Sequence, residues 1–447
     1  FITFCALSEA KGMDINMKRN IILDVHDKPD FITWLALSFQ HLFAMFGATI
    51  LVPFLVKIDP SVALISSGLG TLAFILITKG KVPAYVGSSF AFITPLIAAK
   101  AAGGVGAAMI GSFLAGLVYG VVALIIKQTG YKWIMKLLPT VVVGPVIMVI
   151  GLGLASTAVS MAMNDPKGHY SLLHFSAGLV TLLITIITMA FFKGFFNLIP
   201  VLIGIFGGYV YSLIIGIVDF QKVAEAKWFQ LPNFIIPFVD YTPHITSEII
   251  LLMVPVAVVT LSEHIGHQML LSQVIGKDLI KDPGLARSIL GDGAATMIAS
   301  FIGGPPNTTY GENIGVLAIT RIYSVYVIAG AALFAILFGF IGKISALISS
   351  IPTPVMGGVS ILLFGIIASS GLRMMIEHKV DLNEKRNLII TSVILVIGIG
   401  EAMIKFGESF ELHGMALAAI IGVILNFVLP GKKEEHIFDT NEEDSVA

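Results

Sequence analysis

The sequence predicts a polytopic α-helical membrane protein made of two inverted copies of about seven spans, with one broken helix in each copy. Three observations predict it. Long apolar runs recur through a chain of 447 residues that is 56% hydrophobic and 12% charged, where soluble domains carry about a quarter charged residues. Short motifs from the first half reappear in the same order in the second. Two runs, at matching places in the two copies, are interrupted by Pro, Gly and Thr. The mean hydropathy of +0.93 agrees with the first. The net charge of -1 points to no partner, and the single cysteine, Cys5, excludes an internal disulfide.

Taken in order, runs near the ~20 apolar residues a helix needs to cross a bilayer fall at 31–56, 61–78, 82–99, 105–126, 137–160, 171–192, 197–219, 248–275, 287–303, 305–320, 322–345, 353–372, 387–404 and 414–430. "FITFCALSEAKG" precedes Met13 and is too short to span. It reads as an upstream extension, with Met13 or Met17 as a natural start. The tail from Lys432 is charged and reads as disordered. With both termini in the cytoplasm, the larger share of Lys and Arg falls inside, including Lys79, Lys81, Lys277, Lys281 and Arg373.

The copies are visible in three pairs. "LPTVVVGPV" at 138–146 matches "IPTPVMGGV" at 351–359, pairing Pro139 with Pro352, Thr140 with Thr353 and Gly144 with Gly357. "SFQHLFAM" resembles "LSEHIGHQ", pairing Gln40 with Glu263 and His41 with His264. "AYVGSS" resembles "TTYGEN", pairing Gly87 with Gly311. Seven is odd, so the second copy enters from the opposite side, as in many secondary transporters.

Spans 3 and 10 are poor helices over their first halves. "VPAYVGS" and "PPNTTYG" favour extended backbone. About ten helical residues remain in each, ~15 Å or half a membrane. Inversion brings the two half-helix N-termini to one central point, with free N–H groups and positive dipole ends. Interrupted helices at corresponding positions are the best pointer in a sequence to a transporter binding site.

Two acids fall at that depth. Glu263 is mid-span in span 8, with His267 one turn away, and Glu312 opens the half-helix of span 10. Acids inside a membrane face the protein interior and work there, although a structural pair or a helix cap remains open for each. Desolvation disfavours the charged form of a carboxyl, which suits a proton carrier, and His267 can share a proton. Gln40 and His41 join as pocket neighbours, with Ser89 and Asn313 beside the half-helix starts. Asp292 reads as a surface-directed acid near a membrane end, close to Arg287. Two carboxylates, two sets of backbone N–H donors and the aromatics Phe90 and Tyr310 suit a small planar ring with both donors and acceptors, such as a nucleobase.

"ENIGVLAITR", 312–321, resembles the signature of the nucleobase–ascorbate transporter family at Glu312, Asn313, Gly315, Thr320 and Arg321. "LSFQHLFAMFGATILVP", "GKVPAYVGSSFAF", "EHIGH" and "PNTTYGENIG" extend it over nearly everything after about residue 30, with nothing to match before Asp30. The resemblance implies proton-coupled uracil import through alternating access at the plasma membrane. A purine or xanthine carrier of the same family is the alternative; Gln is common there where this chain has Glu312. It also implies a core from residues 31–130 and 247–346, a gate from 131–220 and 347–430, an extracellular loop at 221–246, and terminal stretches 1–30 and 431–447. Glu263 and Glu312 would accept the ring N–H groups, Phe90 and Gly311 would donate backbone N–H bonds, Tyr310 would line the pocket, and His267 would couple Glu263 to the proton. Apart from the proton no cofactor or metal is expected, nor any nucleic acid; a homodimer through the gates is. A neutral residue is expected in close relatives where this chain has Asp292. "EHIGH" lacks the H-E-x-x-H order of a metalloprotease, so no enzyme is expected.

Overall fold

The computed structural model describes residues 21–406 and 410–431. The readings made for the first twenty residues and for the tail from Lys432 lie outside these. Fourteen spans fill the described chain. The first copy contains Phe31–Val56, Pro60–Ile77, a broken span 3, a helix running to Thr129, Thr140–Met163, Leu172–Phe191 and Pro200–Ile214. The second contains Ser247–Ile275, Leu285–Phe301, a broken span 10, Val325–Gly339, Thr353–Glu377, Lys385–Ile399 and Gly414–Val428. Spans 3 and 4 are two helices within Ile93–Thr129, separated at Gly103 and Gly104, whose dihedrals are non-helical.

Each broken span begins with a strand, β1 (Val86–Ser88) or β2 (Asn307–Thr309). The helical part then starts at Phe90 or at Gly311. This corrects the motif pairing. Gly87 lies mid-strand opposite Thr308, and Phe90, not Gly87, occupies the place of Gly311. Gly and Thr are both at home in a short strand at a crossing, so the letters alone slipped the register by three residues.

The copies share two further parts that apolar periodicity did not reveal. Short helices, Lys132–Leu137 and Gly342–Ser349, precede the two Pro-Thr spans. The glycines of those spans then pack reciprocally. A Cβ on Gly144 would stand 3.1 Å from the Gly371 carbonyl of span 12, and one on Gly357 would stand 2.6 Å from the Met161 carbonyl carbon of span 5. Close approach of this kind needs small residues.

Helix packing divides into two groups. Spans 2, 4, 9 and 11 interlock with spans 1, 8 and the two broken spans. Spans 5, 6 and 12 interlock with spans 7, 13 and 14. Between the groups, span 8 meets spans 5 and 14, and span 1 meets span 7. A hairpin of β3 (Met403–Phe406) and β4 (Phe410–His413), of which the sequence reading placed only Met403 and Ile404 in span 13, joins spans 13 and 14.

Residues 21–30, read with the extension, are folded onto the protein. Tyr323 and Val325 donate their N–H groups to the Leu23 and Val25 carbonyls at 2.7 and 3.0 Å. Val25 is buried.

Candidate functional site

The site is built around the two crossing strands. β1 and β2 pair antiparallel about Gly87 and Thr308. The Ser89 N–H to Pro306 carbonyl (2.8 Å) and the Tyr310 N–H to Tyr85 carbonyl (3.0 Å) extend the ladder. Extended backbone deep in a membrane must satisfy its polar groups within the protein, and two threonines complete the task. Thr71 of span 2 bonds both the N–H and carbonyl of Val86, each at 3.0 Å. Thr296 of span 9 does the same for Asn307, accepting from its N–H at 3.2 Å and donating to its carbonyl at 2.7 Å. Neither threonine was singled out from sequence. Nothing in their neighbours marks them, but spans 2 and 9 are repeat partners, and a serine or threonine at matching depth in both would have been the signal.

The strands deliver Phe90 and Gly311 to the centre as helix starts. Gly311 lies against His267, whose Nε2 would be 2.9 Å from a Cβ there. His267 donates from Nδ1 to the Thr309 carbonyl at 2.9 Å, so Nε2 is its acceptor and faces Gly311. Glu263, one turn earlier on span 8, is 8% exposed and carries an Oε2 without a hydrogen-bond partner. Oε1 of Glu312 is likewise without one, and the two carboxyls are near enough to interact electrostatically. A buried polar atom left unpaired costs about 1–3 kcal/mol, so these two oxygens are set for a partner outside the chain. Tyr310 packs over Gly87, where a Cβ would meet its ring at 2.5 Å, and stacks with Tyr85 at 6.2 Å.

His41 and Asn313 are brought together but are occupied. His41 donates from Nε2 to Asn313 Oδ1 at 2.6 Å, and Asn313 Nδ2 donates to the Pro83 carbonyl at 3.1 Å. They tie span 1 and the approach to β1 to the span-10 half-helix. Gln40, beside His41 in sequence, is half-buried, and Ser89, just before Phe90, is buried with an unpartnered hydroxyl.

The far wall belongs to the second helix group. Phe90 meets Phe364 of span 12 edge to face, with centroids 5.8 Å apart. A Cβ on Gly266 would stand 3.3 Å from Ile147 of span 5 and 3.2 Å from the Met374 sulfur of span 12. Phe364 sits in an unbroken apolar run, which is why nothing in the sequence distinguished it. Beside Phe90, a cleft of about 190 Å³ separates Ala91, Thr94 and Pro95 of span 3 from Glu401 and Met415.

The reading of Asp292 as a surface-directed acid is wrong. It is 1% exposed, accepts from His264 Nδ1 at 2.7 Å, and accepts from the Thr309 N–H at 3.3 Å. Span 9 starts at Leu285, so Asp292 lies two turns inside it. Glycines on either side let it reach so deep: a Cβ on Gly291 would strike Phe74 at 2.6 Å, and one on Gly293 would strike Tyr119 at 2.8 Å. Thr309 is thereby held from both sides, by Asp292 on its N–H and His267 on its carbonyl.

Comparison with known proteins agrees with this architecture. Residues 32–405 match the model of the permease family named Xan_ur_permease. The chain belongs to that family. It is therefore a multi-pass membrane transporter, not an enzyme, and the resemblance to the nucleobase–ascorbate transporter family holds. The uracil permease of Bacillus caldolyticus is 69% identical over 428 residues, covering 95% of this chain and 99% of that protein. That of Bacillus subtilis (strain 168) is 65% identical over 434 residues, covering 96% and 100%. Such coverage leaves too few residues outside for the match to begin as late as Asp30. The transmembrane domain of the cyanobacterial bicarbonate transporter BicA superposes with a TM-score of 0.60 at 15% identity, covering 90% of this chain and 98% of that one. At that identity the likeness is one of fold, and it is the seven-plus-seven inverted repeat.

Proposed function

We propose that this chain carries uracil across the membrane together with a proton. The observation that carries the reading is the pair of unpartnered carboxyl oxygens, on Glu263 and Glu312, facing two helix starts where the two helix groups meet. The names and identities of the Bacillus relatives point to the same substrate. A uracil ring offers two N–H donors to the carboxyls and two carbonyls to the N–H groups at Phe90 and Gly311, and its flat face suits the Phe90 ring. His267 holds Nε2 free to take a proton from the acid side while Thr309 fixes its tautomer.

Spans 1–4 and 8–11 act as a core and spans 5–7 and 12–14 as a gate, in alternating access: the core carries site and ligand past Phe364, Met374 and Ile147. The Lys-rich face, with Lys81 and Lys277, is cytoplasmic in this reading.

Uptake of labelled uracil into proteoliposomes, with and without an inward proton gradient and against excess xanthine and thymine, tests it. Gradient-driven accumulation unaffected by xanthine is expected. Gradient-independent uptake would remove the proton, and a block by xanthine would move the substrate to purines. Glu312→Ala should abolish binding, and Glu263→Gln should abolish gradient-driven accumulation.

A further inference from the structure

The connection from span 7 to span 8 is laced across one end of the helix bundle. The Gln230 N–H donates to the Phe340 carbonyl (3.1 Å), and the Gly342 N–H to the Trp228 carbonyl (3.0 Å). The Asn233 N–H donates to Asp59 Oδ2 (3.0 Å), and the Ile235 N–H to the Ile302 carbonyl (3.3 Å). Each partner sits where a span ends: Asp59 between spans 1 and 2, Ile302 after span 9, Phe340 after span 11. The loop therefore lies at the depth where the bilayer gives way to water.

Its backbone is turned to the protein and its large apolar side chains are not. Trp228, Phe229 and Leu231 are 71%, 82% and 79% exposed. Surface patches of this kind mark an interaction site. What covers this one follows from its surroundings. Trp228–Leu231 adjoins the end of span 11, whose Leu333 and Leu337 are exposed along the helix toward the membrane interior. The patch is thus the upper edge of a lipid-facing surface, and Lys227 lies next to it in sequence. Tryptophan beside lysine at a helix end is the composition of the headgroup belt, where an indole has its ring in the acyl boundary and its N–H in the wet layer.

We propose that Trp228, Phe229 and Leu231 form a lipid anchor, seated in the headgroup boundary of the leaflet on the face where spans 7 and 8 meet the loop. The loop is bonded to the ends of spans 1, 2, 9 and 11 through the four contacts above, and Lys343, just past span 11 in a short helix packed on span 2, donates from Nζ to the Val223 and Ala224 carbonyls at 2.7 and 2.8 Å. These all belong to one helix group, so the anchor is a part of that group and travels with it.

The chain has 3 tryptophans, so Trp34→Phe with Trp133→Phe leaves Trp228 as sole reporter. Reconstituted in vesicles of phosphatidylcholine brominated at a shallow or a deep acyl position, its emission should be quenched roughly twofold more by the shallow label, and iodide in the water should quench it weakly. Strong iodide quenching without lipid quenching would overturn the anchor. Protection from both quenchers would overturn it too, and would put a second protein surface on the patch. If the double variant does not fold, the natural chain and Trp228→Phe give the same answer by difference: the shallow label's quenching should fall when Trp228 is removed, and no fall would overturn the proposal.

Discussion

Two short helices enter the centre of the molecule from opposite ends on the same backbone plan, yet they bring different chemistry. Each follows a three-residue strand, and each strand start is pinned by a threonine, Thr71 or Thr296. In span 10 the first residue is Gly311 and the second Glu312, and after ten residues the helix stops at Arg321 in the left-handed conformation. In span 3 the first residue is Phe90, no acid lies in the first turn, and the helix continues to the Gly103–Gly104 reversal. Duplication supplied two donor ends, and one side chain per copy then decided what each contributes. One end has a carboxyl and the space for His267, and the other a ring against the opposite helix group.

Gly311→Ala should break this division most severely. The new Cβ would stand 2.9 Å from His267 Nε2, displacing the ring whose other nitrogen is committed to Thr309. A displacement of about 1 Å at an organised site costs on the order of 100-fold, so uracil kcat/KM should fall by about that factor. Phe90→Ala removes a contact to Phe364 and leaves the backbone donor in place. KM should then rise roughly threefold to tenfold, the worth of one aromatic pair. Equal losses in the two variants, measured as uptake kinetics at matched protein, would mean that the two ends are not specialised.

Asp292→Ala should come next, read as stability. It leaves the Thr309 N–H unpaired in the interior and His264 Nδ1 with only its longer contact, 3.3 Å, to the Thr309 hydroxyl. A buried donor left without its acceptor costs about 1–3 kcal/mol, so a clear drop in the thermal midpoint of detergent-solubilised protein is expected. Asp292→Asn, which keeps one acceptor oxygen, should lose markedly less. If both variants melt like the natural chain, β2 and His267 hold Thr309 without Asp292.

What the sequence made legible follows from where polar groups are forbidden. In lipid every Pro, Gly, Thr or Glu is conspicuous, so the broken spans, Glu263, Glu312 and His267 could be read from letters and spacing. Which residues face which could not. The spans are apolar nearly all round, and such a helix has no pattern to orient it. Phe364 was hidden among equivalents for that reason, and Asp292 was placed by its nearness to Arg287 when its two flanking glycines, which clear Phe74 and Tyr119, were the better guide. The strand register failed on a different ground: a three-residue ladder contains too few letters to align.

The smallest expected effect concerns the far end of the span-10 half-helix, which has a cover made of residues 22–27. Asp24 pairs there with Lys277 at 2.8 Å, both side chains near half exposed. Burial alone would raise the Asp24 carboxyl, but the Lys277 ammonium, the Val25 N–H and the charge of His26 outweigh it and hold it below the ordinary carboxylate range. A carboxyl lowered on folding adds stability that is complete above its unfolded value and is lost as the pH falls through its folded value. Exchange of the Tyr323 and Val325 amides, which bond to Leu23 and Val25, reports on this cover. An exposed pair is worth on the order of half a kcal/mol, so Asp24→Asn should speed their exchange about twofold at neutral pH. The gap should close in acid, once Asp24 is itself protonated. A gap that persists in acid would show that Val25, buried beneath the half-helix, secures the cover without the ion pair.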